Sequence, residues 1–449
     1  MKQDLSIGTS WKVLLAYAAP VIGGNLFQLF YTLADSVIVG QTLGPQALAA
    51  VGASGIISYF FLCFIQGCTS GFSIFVGQAF GAKKPGEVKR NITASISLAG
   101  LITVIFTVFT CVFCGRILRL MNTPEDIFQQ AYDYLFVIFL GMMGTMFYNL
   151  LSNILRALGD SKTPLYFLIF SSLLNIVLDL VFILAFHRDV AGAAWATVIS
   201  QLLAAILCYL YARRSFMEMR IGARYWKWEA SRYWALFKLG FPMGFQLSIM
   251  SIGQIAMQAA VNLLGTTAVT GYTAATKVNQ IAVLVNNGFG VAISGYAAQN
   301  YGARKLDRIR KGVRICFLMT FVCNLLIIMA IFALQNQIVA MFVSNPTAEV
   351  IGYAKDFFLI VVPFYILLGG LQTYRSATQG LGSVSGPFLS SVVQLAARVA
   401  GSFLLGAVWG YRGICFASPM AWISAVAVLV PIYLIEMRKA RNKLAGKAG

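Results

Sequence analysis

The chain has 449 residues, 59% hydrophobic and only 11% charged, with a formal net charge of +19 and a mean hydropathy of +0.77. A water-soluble fold of that size needs far more polar surface, so the composition excludes an ordinary soluble protein and predicts one polytopic membrane domain. The positive charge does not indicate nucleic acid, because the basic residues lie in short loops without a basic, aromatic surface.

The first apolar stretch, from about Trp11 to Val39, is too long for a signal-peptide core and lacks a small-x-small cleavage site, so it is predicted to stay as a helix. In chain order the predicted spans lie at roughly 14–39, 46–74, 91–115, 127–155, 163–186, 190–213, 233–262, 267–298, 312–335, 347–374, 385–408 and 411–436. Loops between them are short, except for the stretch 214–232. That exception predicts an N-terminal six-helix lobe over 1–213, a linker over 214–232, and a C-terminal six-helix lobe over 233–449 ending in a basic tail.

Alternate connections carry the lysines and arginines. Lys83, Lys84, Lys89 and Arg90 follow the second span, Arg156 and Lys162 the fourth, and Arg304, Lys305, Arg308 and Arg310 the eighth. The linker adds Arg213, Arg214, Arg220 and Arg224, and the tail Arg438, Lys439, Arg441, Lys443 and Lys447. The opposite loops hold few, namely Arg116, Arg119, Arg188 and Arg412. By the positive-inside rule both termini are expected in the cytoplasm, with the protein in the plasma membrane.

The second six spans repeat the first at a shift of about 222 residues. GQAFGAKKPGEVKR (77–90) aligns with AQNYGARKLDRIRK (298–311), Pro20 with Pro242, Thr123-Pro124 with Asn345-Pro346, Asp133 with Asp356, and Leu158-Gly159 with Leu381-Gly382. Six is even, so both halves enter from one side and form a parallel pseudo-two-fold repeat around a cleft. Asp133 and Asp356 each open a helix, where a carboxylate is favoured by the dipole. The cysteines are scattered through apolar helices, and even the C-x-x-C pair Cys111 and Cys114 reads as helix packing. With one histidine, His187, no transition-metal site and no cofactor are expected.

Only Asp35 and Asp179 sit well inside predicted spans among the acidic residues. A carboxylate inside a membrane costs a few kcal/mol at least, so it normally binds or relays something. At 1.5 Å per residue, Asp35, Asp179 and Thr197 all fall roughly 8–11 Å below the outer surface. Asn175 lies one turn deeper than Asp179 on the same helix face. Two carboxylates, an amide and a hydroxyl at one level suit Na⁺, for which Asp35, Asn175 and Asp179 are the nearest ligands, or a shared proton. The bland alternatives are pairing of the acids with buried bases and back-bonding of Thr197 to its own helix.

The second half does not copy these acids: Arg398 aligns with Asn175 and Ser402 with Asp179, and Lys277 lies inside the eighth span. Lys277 and Arg398 read either as structural ion pairs and snorkelling side chains or as partners of an anionic substrate group. Tyr31, Gln254, Gln258, Gln280 and Asn286, with Lys277 and Arg398, are candidate cleft-lining residues; helix–helix hydrogen bonding explains the amides nearly as well.

The 6+6 repeat, with ADSVIVG (34–40), GQAFGA (77–82), LRALGDSKTP (155–164), NIVLD (175–179) and GAAWAT (192–197), resembles the multidrug and toxic compound extrusion family over nearly the whole chain. The resemblance implies a V-shaped pair of bundles, alternating access, and efflux of small organic compounds driven by Na⁺ or H⁺. It also implies that Asp35, Asn175, Asp179 and Thr197 form the cation site of the N-terminal lobe. Some members carry a second acidic site in the C-terminal lobe; here Gln254 and uncharged neighbours stand there. The partners expected are a small-molecule substrate and membrane lipid, with a monomeric chain. A rival reading is a flippase for lipid-linked sugars or lipids, which Lys277 and Arg398 would suit. An ion channel lacks a filter motif here, and an enzyme lacks a nucleophile–base set.

Overall fold

A computed structural model describes residues 4–186, 188–342 and 347–445. Nearly all of them are helical, as lipid demands of a chain whose backbone groups must be bonded internally. The helices are α1 (Ser10–Leu43), α2 (Pro45–Gly81), α3 (Pro85–Leu120), α4 (Glu125–Leu140), α5 (Met142–Ala157), α6 (Lys162–Leu180), α7 (Val190–Ser215), α8 (Ala230–Asn262), α9 (Thr266–Gly302), α10 (Leu306–Phe342), α11 (Ala348–Val361), α12 (Tyr365–Gly380) and α13 (Ser385–Ala445).

These helices make twelve membrane spans. α4 and α5 form a single span bent by 47°. The bend falls at Gly141, where even a Cβ would come within 2.1 Å of Val198 on α7. α11 and α12 form another, joined by one tight turn over Val362–Phe364. α13 contains two spans, because the chain reverses at Gly410 with φ 59°, a conformation that glycine adopts without steric penalty. The expected cap at Asn345-Pro346, His187 and the tail residue Lys447 lie outside the described residues.

The repeat read from the sequence is also a repeat of backbone geometry. Lys83 (φ 56°) and Arg304 (φ 59°) occupy the same left-handed position after α2 and α9, and Gly159 (φ 90°) and Gly382 (φ 87°) do so after α5 and α12. Helix neighbours repeat too: α2, α3 and α5 pack on one another, as do α9, α10 and α12.

The chain packs as two compact units, the first built from Gly23–Phe245 and the second from Leu5–Ile22 with 246–445. This corrects the expected boundary at 214–232. Residues 233–245 stay with the first unit because glycines let α8 lie directly on α2. A Cβ on Gly67 would come within 2.3 Å of the Met243 carbonyl, and one on Gly71 within 2.6 Å of the Gly240 Cα. Phe64 then sets its ring edge-on against Phe241 and Phe245, with centroids 5.4 and 5.2 Å away. Likewise the start of α1 belongs to the second unit, where Tyr17, Ala18 and Val21 are buried with Phe289 and Ile293. Just before it, the Leu5 amide donates to Gln299 Oε1 at 2.8 Å and Asn300 Nδ2 donates to the Leu5 carbonyl at 3.1 Å. A single sequence cannot show such pairings, because they depend on which glycines face one another across helices.

The cores differ in character. The first unit's is dominated by Phe64, Phe72, Phe139 and their aliphatic neighbours. The second unit places a polar pair inside: Asn286 and Asn324 exchange two amide hydrogen bonds at 2.9 and 3.1 Å.

Candidate functional site

In the first unit, α1, α6 and α7 bring one polar cluster together inside an apolar bundle. Asp35 lies one turn beyond Tyr31 on α1, and Asp179 one turn beyond Asn175 on α6, so each helix presents both residues on one face. α7 reaches α6 closely because its first turns are small: Gly192, Ala193, Ala194 and Ala196 are all buried. α6 ends in a wide π turn over Val181–Ala185, directly after Asp179 and Leu180; such turns recur at functional sites.

The two carboxyls lie within hydrogen-bonding range of one another. Asn175 turns its amide nitrogen toward Asp179, the orientation its partners require. It donates to Asp179 Oδ2 at 3.1 Å and to the Tyr31 hydroxyl at 2.5 Å, and its oxygen accepts from the Thr197 backbone N–H at 3.0 Å. The Tyr31 hydroxyl also reaches the Thr197 side chain. Thr197 Oγ1 donates to the Ala193 carbonyl at 3.1 Å, the back-bond considered from the sequence.

Asp179 is fully buried and Asn175 nearly so, while Asp35 and Thr197 are half-buried. One oxygen of Asp35 and one of Asp179 lie out of solvent with no hydrogen-bond partner. Among the described residues no lysine or arginine pairs with either acid, so the bland reading of a buried salt bridge does not apply. Two touching carboxyls with one orphaned oxygen each can hold a proton between them or accept a cation.

The structure thus brings Asp35, Asn175, Asp179 and Thr197 into contact. It adds Tyr31, which the sequence assigned to the cleft and which stands instead within the carboxylate cluster. It also adds Tyr134 on α4, whose phenol lies within electrostatic reach of both acids. Tyr134 gave no sequence signal; it is an aromatic residue one position past Asp133, which itself accepts from Gln129 at 2.9 Å near the helix start.

The other cleft candidates scatter over the second unit. Gln254, Lys277 and Gln280 are exposed on α8 and α9. Gln258 donates to Asn262 on its own helix at 2.9 Å. Asn286 is a correction: it is enclosed with Asn324, which also donates to the Tyr365 carbonyl at 2.9 Å, so its amide serves packing. Arg398 is buried rather than lining open space. Asp356, aligned with Asp133, forms a two-pronged pair with Arg412 at 3.0 Å. Hollows of about 590 and 640 Å³ lie along the linker, lined by residues such as Arg213, Arg214, Arg220, Arg224 and Lys227, and contain none of the acids of the cluster.

Comparison with known proteins agrees with this plan. The MatE family model matches twice, over residues 20–181 and 242–404, the same spacing as the internal repeat. The chain is 29% identical over 397 residues to the probable multidrug resistance protein YoeA of Bacillus subtilis (strain 168), covering 87% of this chain and 85% of that protein. It is 25% identical over 427 residues to the probable multidrug resistance protein NorM of Thermotoga maritima, covering 93% and 89%. Its fold matches that of a multidrug resistance MATE family transporter of the MOP superfamily in an outward-facing conformation, with TM-score 0.90, 21% identity, and 97% and 98% of the two chains covered. With a bundle repeated in sequence, backbone geometry and family match alike, this chain belongs to the MatE family of multi-pass membrane efflux transporters.

Proposed function

We propose that the chain is a cation-coupled antiporter that exports small organic compounds across the plasma membrane by alternating access, with both termini in the cytoplasm. Na⁺ or H⁺ enters at Asp35 and Asp179, with Asn175, Thr197 and Tyr31 completing the site. One observation carries the reading: a buried and a half-buried carboxyl lie against each other, each with an orphaned oxygen, and no lysine or arginine among the described residues pairs with them. Such a pair is expensive to keep in a membrane unless a positive charge visits it.

The coupling follows from that expense. Occupancy by a cation removes the charge at the junction of α1, α6 and α7, so those helices have different favoured arrangements when loaded and when empty. The ion drives the cycle only through its difference in affinity for the two arrangements. Pro20 supplies a point where α1 can bend, since it leaves one carbonyl of that helix without its usual partner.

The decisive experiment is uptake into vesicles containing the purified protein, with the pH and Na⁺ gradients imposed separately. Accumulation of an amphipathic dye under one of the two gradients, lost in Asp35→Asn, is the expected result. Uphill accumulation at the wild-type rate in a chain lacking both acids would refute the proposal.

A further inference from the structure

The second unit has its own buried charges, and the acid cluster makes no use of them. Arg375 on α12 is 3% exposed and Arg398 on α13 is 8% exposed. Arg375 donates through Nη2 to Gln394 Oε1 at 2.7 Å and through Nη1 to the Met250 sulfur at 3.5 Å. Arg398 lies one turn past Gln394 on the same face of α13. The two guanidiniums are close enough to act on one another electrostatically.

Their needs are not met within the fold. Each guanidinium presents five donors. Nε of both is buried without a partner, and the Arg398 side chain makes no hydrogen bond or ion pair among the described residues. The second unit has four acids, and all lie elsewhere. Asp307 pairs with Arg310, Asp356 with Arg412, Glu436 with Lys439, and Glu349 is exposed in the first turn of α11. Two like charges within reach of one another in an apolar bundle are costly unless something negative joins them.

Position adds a second, independent argument. At the shift of the repeat, Arg398 corresponds to Asn175 and Gly253 to Tyr31. The contact between Tyr31 and Asn175 in the first unit has a counterpart between Gly253 and Arg398 in the second. A Cβ on Gly253 would stand 3.1 Å from Arg398 Cδ, so the absence of a side chain there gives the arginine its room. Tyr272 lies within electrostatic reach of the same guanidinium. The fold thus places a buried basic pair where its other half places an acidic one.

We propose that Arg375 and Arg398 form a binding site for the anionic group of an amphipathic molecule, a carboxylate, sulfonate or phosphate. In calling that molecule a substrate, the inference rests on the transport function proposed above; the binding itself does not. A planar guanidinium suits such groups because its paired N–H donors match two oxygens at once. The group comes either from a soluble anion or from the headgroup of an anionic lipid.

Two xanthene dyes of opposite charge test the site on purified full-length protein by fluorescence polarisation. 6-Carboxyfluorescein is expected to bind the wild type and to lose about thirtyfold or more in affinity in Arg398→Gln and in Arg375→Gln. Arg398→Lys should lose less, and rhodamine 6G should bind no more weakly to the Gln variants than to the wild type. Gly253→Ala, which keeps every charge, should also weaken 6-carboxyfluorescein by crowding the arginine. Without ligand, Arg398→Gln should melt at or above the wild-type temperature, because it removes an uncompensated charge. Unchanged 6-carboxyfluorescein affinity in both Gln variants, or a lowered melting temperature with that affinity intact, would overturn the site and leave the arginines as scaffolding.

Vesicle assays separate the two sources. Arg398-dependent uptake of 6-carboxyfluorescein assigns a soluble anion, and Arg398-dependent flipping of a fluorescent phosphatidylglycerol assigns a lipid. Asp35→Asn should stop gradient-driven transport while leaving 6-carboxyfluorescein affinity as in the wild type. If that variant still pumps, the coupling proposal fails and the anion site stands; if the Gln variants bind normally while Asp35→Asn is inert, the reverse holds.

Discussion

At position 175 the first unit has an amide beside two acids; at the equivalent position 398 the second has an arginine beside another arginine. Around these centres the two units keep the same helix order, the same left-handed turns at Lys83 and Arg304, and the same glycine turns at Gly159 and Gly382. The scaffold was therefore free to diverge where charge sits and not where the chain turns. Their cores differ in the same spirit. Asn286 and Asn324 pair in the second unit where, at the repeat shift, the first has Phe64 and Ile102 packed in an apolar cluster.

The comparison breaks most sharply at the acids. Asp35→Asn and Asp179→Asn should each reduce gradient-driven dye accumulation to the level of empty vesicles, because a neutral amide can neither carry the proton nor hold the cation. Arg398→Gln, by contrast, should leave gradient-driven accumulation of the cationic dye rhodamine 6G in place.

Next in size is the glycine seam between α2 and α8. Gly67→Ala places a methyl against the Met243 backbone, which cannot rotate away, and should cost about 3 kcal/mol. A lowered thermal midpoint of the purified protein is the readout. If the midpoint is unchanged, the first unit does not depend on α8 lying against α2.

The asparagine pair gives a smaller effect with a distinctive pattern. Asn286→Leu alone leaves Asn324 partly unsatisfied and should cost about 2 kcal/mol, whereas Asn286→Leu with Asn324→Leu should be nearly neutral. A double-mutant cycle on thermal stability checks this, and additive losses would show that the pair is not one unit. Smallest is Arg232→Ala at the edge of the first unit. Arg232 binds Glu87 at 2.8 Å and Glu229 at 3.0 Å and also donates to Asn91, yet these acids are well exposed to solvent, so the loss should be about 1 kcal/mol and shrink further in high salt.

Much of this was legible in the chain itself. Twelve apolar runs of spanning length have few alternatives in lipid, and Asp35 and Asp179 stand out because acids are so rare within them. Depth arithmetic placed Asp35, Asp179 and Thr197 at one level because helices rise at a fixed rate. Rotation about each helix axis is what the sequence leaves open. Tyr31 and Tyr134 reach the acids, and Asn286 turns inward to Asn324, through facings that no spacing specifies. Arg375 escaped notice for a related reason: it lies near the end of its span, where a basic residue ordinarily reaches water, and only the packing of α12 against α13 shows that this one does not. The division of α1 and α8 between units was invisible because a continuous helix carries no mark of where its neighbours change.

The wide turn at Val181–Ala185 has a consequence of its own. The turn lies against the first residues of α7, where a Cβ on Gly192 would come within 3.3 Å of Phe182 Cβ, so its loose winding bears on how α7 and Thr197 are seated. The side of the acid pocket formed by α7 is thus fixed by winding more than by the identities of those five apolar residues. Exchanging them for other apolar side chains should be tolerated. Changing their number would rotate Thr197 away from Asn175 while Asp35 and Asp179 stayed in touch, severing one side of the site from the other.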